Sequence, residues 1–173
     1  PERYGYTVQV PGFGFLRDEF PEPFKVSWDL AEGWATSADL PGVRIPGAPF
    51  MGTIGLSPGD ELLAATTARE QDLIDRGGFV LPPSVASAVP PDPAIAAYAL
   101  RTIPPREQAG NVDIKQLSKG AHLLIPVDTP GALCSAGDAH FAQGDSETCG
   151  TAIEMGATLH VRFHVRKGEA AEK

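Results

Sequence analysis

Hydrophobic and polar positions alternate most regularly near the C-terminal end of the chain. From Ala157 to Arg166, the residues Ala157, Leu159, Val161, Phe163 and Val165 fall on one side of an extended backbone. Thr158, His160, Arg162, His164 and Arg166 fall on the other. The pattern predicts a half-exposed antiparallel strand. Leu123-Leu124-Ile125-Pro126-Val127 is a short apolar run that predicts a buried strand, so residues 106–166 read as a β core. Helical spacing is confined to residues 57–76, where Leu62, Ala65, Arg69, Leu73 and Ile74 form a partial stripe. Ser57 is placed to cap this helix, Pro58 suits its first position, Asp60 and Glu61 suit its positive end, and Gly77-Gly78 stops it. Arg69, Glu70, Asp72, Asp75 and Arg76 then read as its solvated face.

The remaining stretches are irregular. Residues 1–56 form a loop-rich arm punctuated at Pro11-Gly12, Pro21-Glu22-Pro23 and Pro41-Gly42, with short edge strands such as Phe24–Trp28. Five of the eight phenylalanines and both tryptophans lie in the first fifty residues and read as core. Residues 78–105 are a Pro/Ala-rich excursion with room for a short helix at 93–100, and residues 167–173 are a polar tail.

Composition narrows the function. A chain of 173 residues is one ordinary domain, and its 19 glycines and 17 prolines describe a fold rich in turns. The net charge of −8 disfavours a nucleic-acid partner. No run approaches the roughly 20 apolar residues needed to span a bilayer, and no secretory leader pattern opens the chain. The start, lacking an initiator methionine, reads as the interior of a longer polypeptide. Two cysteines are too few for a disulfide framework and read as free thiols of a reducing, cytoplasmic setting.

The densest polar stretch is Gly137 to Glu147. On an extended backbone Asp138 and His140 share a face, about 6.6 Å apart along the strand, a separation that suits two ligands converging on one cation. Asp145 and Glu147 repeat the spacing after Gly144. Three carboxylates and an imidazole in so short a span can hold a divalent ion, zinc or a harder cation; the competing reading is a polar surface hairpin. Asn111 and Asp113 share a face in the same way. Glu154, among small and apolar residues, needs a partner, such as an arginine. His160 and His164 lie about 13 Å apart, too far to share an ion, and His122 reads as structural. Cys149 is a nucleophile candidate only if Glu147 or a histidine serves as its base. No glycine-rich phosphate loop and no nucleophile elbow is present.

A longer ordered set of residues says more. Gly110 to Leu117, Gly120, Leu124 to Val127, Gly131-Ala132-Leu133, Gly137 to Asp145 and Glu147 through Glu154 resemble the acetamidase/formamidase family. Pro11 to Leu16, Trp28-Asp29-Leu30, Pro41-Gly42-Val43, Pro46 to Gly52 and Thr102 to Glu107 resemble its formamidase branch. The resemblance implies a mainly β fold, a jelly-roll-like β-sandwich framework with one inserted helix and long Pro/Gly-rich loops. It also implies hydrolysis of a short aliphatic amide, such as formamide, to carboxylate and ammonia. The partners implied are a small amide substrate and either further copies of the chain or the remaining part of an amidase chain, with no nucleic acid and no membrane.

On this reading Asp113, Asp138 and His140 are the expected ligands of a divalent metal, zinc first. Glu147 is the expected proton-transfer carboxylate, with Asp145 and Lys115 as further catalytic candidates. Asn111 and Gln143 are expected to bind the amide, and backbone N–H groups between Gly144 and Gly150 to hold the oxyanion. Cys149 and Glu154 are the other candidates. Ser146 stands where the family usually has glycine, a costly exchange if the backbone there has positive φ. The alternatives are a metal-free amidase built on Cys149 with Glu147, and a non-catalytic β module.

Overall fold

The computed structural model describes residues 2–78, 94 and 100–169. These residues are mainly β. They form strands β1 (Tyr4–Gln9), β2 (Phe24–Ala31), β3 (Trp34–Thr36), β4 (Arg44–Pro46), β5 (Phe50–Gly55), β6 (Ala109–Asn111), β7 (Ser135–His140) and β8 (Glu154–Met155). Helix α1 (Asp60–Asp75) and a 3-10 turn at Asp145–Glu147 complete the elements. The loop-rich arm at the N-terminal end thus supplies five of the strands, and β2, expected at an edge, lies between β1 and β3. The chain divides into two units, one of Pro1–Gly52, Asp113–Leu124 and Gly137–Lys173, the other of Thr53–Val112 and Ile125–Ala136.

The first unit is built on the antiparallel order β4-β3-β2-β1-β8-β7. In β2 alternation works as a strand requires: Val26, Trp28 and Leu30 are buried, and Lys25 and Ser27 are exposed. These three pack with Ala35, Phe141 and Ile153 as the core. The Trp28 indole N–H, which a buried ring cannot leave unpaired, donates to Thr7 Oγ1 at 3.0 Å. Thr7 Oγ1 in turn donates to the Ala152 carbonyl at 2.6 Å. Gly5 lies opposite Met155, and a Cβ at Gly5 would come within 2.7 Å of the Glu154 carbonyl oxygen. The missing side chain lets β8 lie against β1 and so places Glu154.

In the second unit Thr53, Ile54 and Gly55 pair with Asn111, Gly110 and Ala109. Helix α1 starts later than its sequence suggests. Gly59 is the cap, with no side-chain hydrogen bond, because the Ser57 hydroxyl faces the Pro58 carbonyl instead. Asp60 and Glu61 occupy the first turn as expected. The inward face is Leu62, Thr66, Glu70 and Ile74, a strict i, i+4 row, while Ala65, Arg69 and Leu73 are exposed. Glu70 is therefore not on a solvated face. It accepts two hydrogen bonds from Arg106, Nε at 2.5 Å and Nη2 at 2.9 Å, with both side chains under one-tenth exposed. Arg106 also donates to the Arg101 carbonyl.

Three further expectations are corrected. Residues 157–166 join no ladder and are exposed throughout, since alternation gives a strand two faces but not a neighbour. Leu123–Val127 is not a buried strand; Leu124 is 70% and Val127 57% exposed. Trp28 and Phe50 are core, but Phe13, Phe15, Phe20 and Phe24 are exposed. The short helix expected at 93–100 and most of the Pro/Ala excursion lie outside the described residues. Among the described residues no helix is long and apolar enough to cross a membrane.

Candidate functional site

The first unit gathers one imidazole and four carboxylates. His140 ends β7 and is completely buried, with the Phe50 ring edge-on to it at 5.1 Å. Its Nε2 lies 3.1 Å from Asp138 Oδ1, 3.1 Å from Glu154 Oε2 and 3.8 Å from Glu147 Oε1. Asp113 closes the other side. Its N–H donates to the Gly52 carbonyl at 3.0 Å, and its Oδ1 is buried without a hydrogen-bond partner.

Gln143 sets the polarity of the ring. Its Nε2 donates to the Asp113 carbonyl at 2.7 Å, which turns its Oε1 toward His140 Nδ1 at 2.9 Å. Nδ1 must then carry a proton, an assignment that follows from the hydrogen-bond pattern. In the neutral ring Nε2 is left with a lone pair aimed at carboxylate oxygens. That arrangement is repulsive unless a proton or a cation lies between.

The electrostatics express this crowding. Burial pulls the His140 imidazolium down, but hydrogen bonds to Asp138 and Glu154 outweigh it and raise the group to about 10. Burial, then the Asp113 charge, pushes Glu147 up to about 8. Burial, then the Asp138 charge, raises Asp113 as well. A site that must take up protons to offset its own negative charge is one from which a divalent cation displaces them.

The donors fit such an ion. One atom each from Asp113, Asp138 and His140 lie within 4.8 Å of one another, and so do those from His140, Glu147 and Glu154. Ligand atoms about 2.0–2.2 Å from a tetrahedral zinc stand about 3.3–3.6 Å apart, so the widest of these pairs would have to close by up to about 1.2–1.5 Å. Gly52 makes the space. A Cβ there would lie 2.6 Å from Asp113 Oδ1, 2.7 Å from Asp138 Oδ2 and 2.9 Å from His140 Cε1.

The loops that deliver these groups are bent sharply. Asp113, Asp138, Ser146 and Glu147 all have positive φ, at 45°, 58°, 63° and 43°, a conformation that costs a non-glycine residue about 1–3 kcal/mol. Asp138 and His140 do meet, although through a left-handed Asp138 rather than the regular extended backbone assumed from their spacing. Ser146 occupies the backbone where a Cβ is costly.

The other candidates are placed differently. Lys115 Nζ pairs with Asp145 Oδ1 at 2.7 Å, and the Asp145 side chain is 83% exposed. Glu154 finds His140 rather than an arginine, and one of its oxygens also accepts the Ala152 N–H at 2.9 Å. The Gln143 amide is occupied on both ends by the protein. Asn111, in the second unit, donates to the Ile103 carbonyl at 3.1 Å and accepts from the Thr53 hydroxyl at 2.7 Å. The Gly150 N–H donates to the Glu147 carbonyl at 2.7 Å and so is not available to an oxyanion. Among the described residues no hydrogen bond joins the half-buried Cys149 thiol to a carboxylate or an imidazole. Sequence reasoning about reactive groups missed Gly52 and gave Gln143 a substrate contact rather than its hold on His140. Gly52 has no side chain to signal a role, and the Gln143 contacts depend on a segment thirty residues away.

Known proteins share this arrangement of sequence. The chain is 40% identical over 183 aligned residues to an acetamidase of Mycolicibacterium smegmatis, covering 96% of this chain and 45% of that protein. It is 43% identical over 176 residues to a formamidase of Methylophilus methylotrophus, covering 94% of this chain and 43% of that one. The solved structure of a gamma lactamase from Delftia acidovorans superposes with a TM-score of 0.80 at 38% identity, over 88% of this chain and 41% of that one. The chain spans less than half the length of these relatives. The profile of the Acetamidase/Formamidase family matches residues 1–173, and the chain belongs to that family.

Proposed function

We propose that the chain carries the metal-binding part of an amidase that hydrolyses a short aliphatic amide, formamide or acetamide, to its carboxylate and ammonia. The observation that carries the reading is the lone pair of His140 Nε2 aimed at carboxylate oxygens in a family whose named relatives act on amides. Zinc is the first choice of ion, since the donors are one imidazole nitrogen and carboxylate oxygens. Bound there, a divalent ion supplies Lewis-acid polarisation of a carbonyl and a lower pKa for water.

The protein's own groups do the remaining work. Gln143 holds the His140 ring and fixes its tautomer. Asp138, Glu154 and Asp113 hold negative charge around one point. At 3.8 Å, Glu147 is the farthest of the three carboxylates paired with Nε2, and it is half-buried on its bent turn. It takes the proton from the attacking water and delivers it to the leaving nitrogen, which departs as ammonia. So small a substrate offers few remote contacts, so weak ground-state binding follows. Association with further copies or with the rest of an amidase chain belongs to the same reading.

The test is ammonia release from formamide and acetamide, with chelator, with zinc restored, and in Glu147→Gln. Zinc-dependent turnover that falls by about 10²–10⁴ in the variant supports the reading. Turnover indifferent to chelation overturns the metal role and points to Cys149. A chain that neither binds zinc by calorimetry nor turns over the amides overturns both the metal site and the activity.

A further inference from the structure

Gln9 ends β1 and is only 1% exposed, yet it takes no part in the candidate site. Its Nε2 donates to the Phe13 carbonyl at 3.1 Å and to the Val10 carbonyl at 3.3 Å. An atom that faces two carbonyls must be the amide nitrogen. The Oε1 is buried without a hydrogen-bond partner. An orphaned buried acceptor costs stability, so an apolar side chain of the same length would serve a purely structural position better. What the amide supplies is a fixed loop. The Phe13 N–H closes the same turn, donating to the Val10 carbonyl at 3.1 Å.

The next residues of the loop brace the turn that carries Glu147. The Phe15 N–H donates to the Thr148 carbonyl at 2.8 Å. Gly14 lies so close to Cys149 that a Cβ on it would stand 2.6 Å from Cys149 Cα. The Phe13 ring fills the space that a side chain at Gly150 would need. Each of the three residues after Glu147 is thus held by one residue of the loop. Ser146 and Glu147 are consecutive left-handed residues, at φ 63° and 43°. Such a pair persists only where its surroundings over-determine it. Within the turn, the Gly150 N–H bonds the Glu147 carbonyl and the Thr148 hydroxyl bonds the Asp145 carbonyl. The loop adds its restraint from outside.

We infer that Gln9 is a positioning residue for Glu147. By fixing residues 10–15 it holds the strained turn that sets the Glu147 carboxylate 3.8 Å from His140 Nε2. The inference rests on the proposed amidase reading, in which Glu147 moves the proton.

Gln9→Met keeps the length of the side chain and removes both donors. It is tested by hydrogen exchange, and by kinetics on formamide with zinc present. The Phe15 and Gly150 amides should exchange at least about tenfold faster, while Trp28 and Leu30 in β2 keep their protection. The kcat should fall by about 10–10²-fold, with KM and the zinc dissociation constant within about twofold of the parent. In the Glu147→Gln background the same substitution should cost nothing further, because its effect passes through Glu147. Gly14→Ala pushes the loop off Cys149 and should give the same pattern, which decides the matter if Gln9→Met does not fold. Unchanged exchange at Phe15 and Gly150, or an equal loss of protection in β2, overturns the inference. So does a rise in KM or in the zinc constant with kcat intact, or an undiminished loss in the Glu147→Gln background. A parent chain that turns over no amide refutes the proposed function instead, and exchange at Gly150 then decides this inference by itself.

Discussion

Gly52→Ala adds one methyl group where the candidate site has no room for it. Gly52 does not have positive φ, so alanine adopts its backbone without strain and the effect is steric. The new carbon would meet Asp113 Oδ1 at 2.6 Å, Asp138 Oδ2 at 2.7 Å and His140 Cε1 at 2.9 Å. Comfortable contact is about 3.5 Å, so three groups must each retreat by about 0.6–0.9 Å. Overpacking of this kind costs about 1–3 kcal/mol. For a chain of this size each kcal/mol lowers the melting temperature by about 2–4 °C, giving a drop of about 2–12 °C. The larger effect is on the cation. At a zinc concentration of 100 times the dissociation constant, the parent chain gains about 2.7 kcal/mol, or about 5–11 °C. Gly52→Ala spreads the ligands and should lose most of that gain. Thermal unfolding of both proteins, with zinc and with chelator, measures the two effects separately. A variant that keeps the full zinc-dependent rise would show that Gly52 does not shape an ion site.

Ser146→Gly relieves a left-handed serine worth about 1–2 kcal/mol, partly offset by about 0.4–1 kcal/mol of chain entropy; equilibrium unfolding should show a gain of up to about 1.6 kcal/mol, and a clear loss would contradict the strain. Arg106→Met leaves the Glu70 carboxylate buried and alone, which should cost about 3–5 kcal/mol in denaturant unfolding, while Glu70→Leu with Arg106→Met restores most of it; a single variant within 1 kcal/mol of the parent would refute the role of the pair. Arg69 donates to Glu107 and holds its carboxyl near 2, below its ordinary 4.5. The sign follows from that depression: the pair's contribution is complete above about pH 4.5 and is lost as pH falls toward 2. Both side chains are about half exposed, so the contribution is about 0.2–1 kcal/mol. The stability difference between the parent and Glu107→Gln should shrink on acidification, and growth of that difference would count against the pair.

Local patterns were legible where the physics is local. Alternation in Phe24–Ala31 buried the residues it should, and the acidic first turn of α1 stands where its dipole favours it. The one long helix could be read for that reason, whereas the mainly β class rested on the family resemblance, since 123–127 and 157–166, the two segments whose pattern predicted core strands, are not strands. The crowding of Asp138 and Glu154 around His140 was only half visible. Spacing brought Asp138 to the ring, but no spacing reveals that Glu154 arrives through the pairing of β7 with β8. The inward row of α1 escaped a search for apolar stripes because two of its four members, Thr66 and Glu70, are polar, and Glu70 is buried only by virtue of Arg106. Residues 157–166 failed in the opposite sense: a strong pattern cannot supply its own neighbour.

The closure of Asp113 onto Gly52 bears on the order of folding. The two residues are separated by the segment Thr53–Val112, about sixty residues long, yet joined by one backbone hydrogen bond of 3.0 Å. Asp138, His140, Gln143, Glu147 and Glu154 need only a short local turn to meet, whereas Asp113 joins them across that long excursion. Contacts so distant along the chain form late. The five-residue cluster is therefore expected to assemble first and to gain its last carboxylate near the end of folding. A cation that requires all of it would clamp the finished protein, slowing unfolding while leaving the folding rate almost untouched.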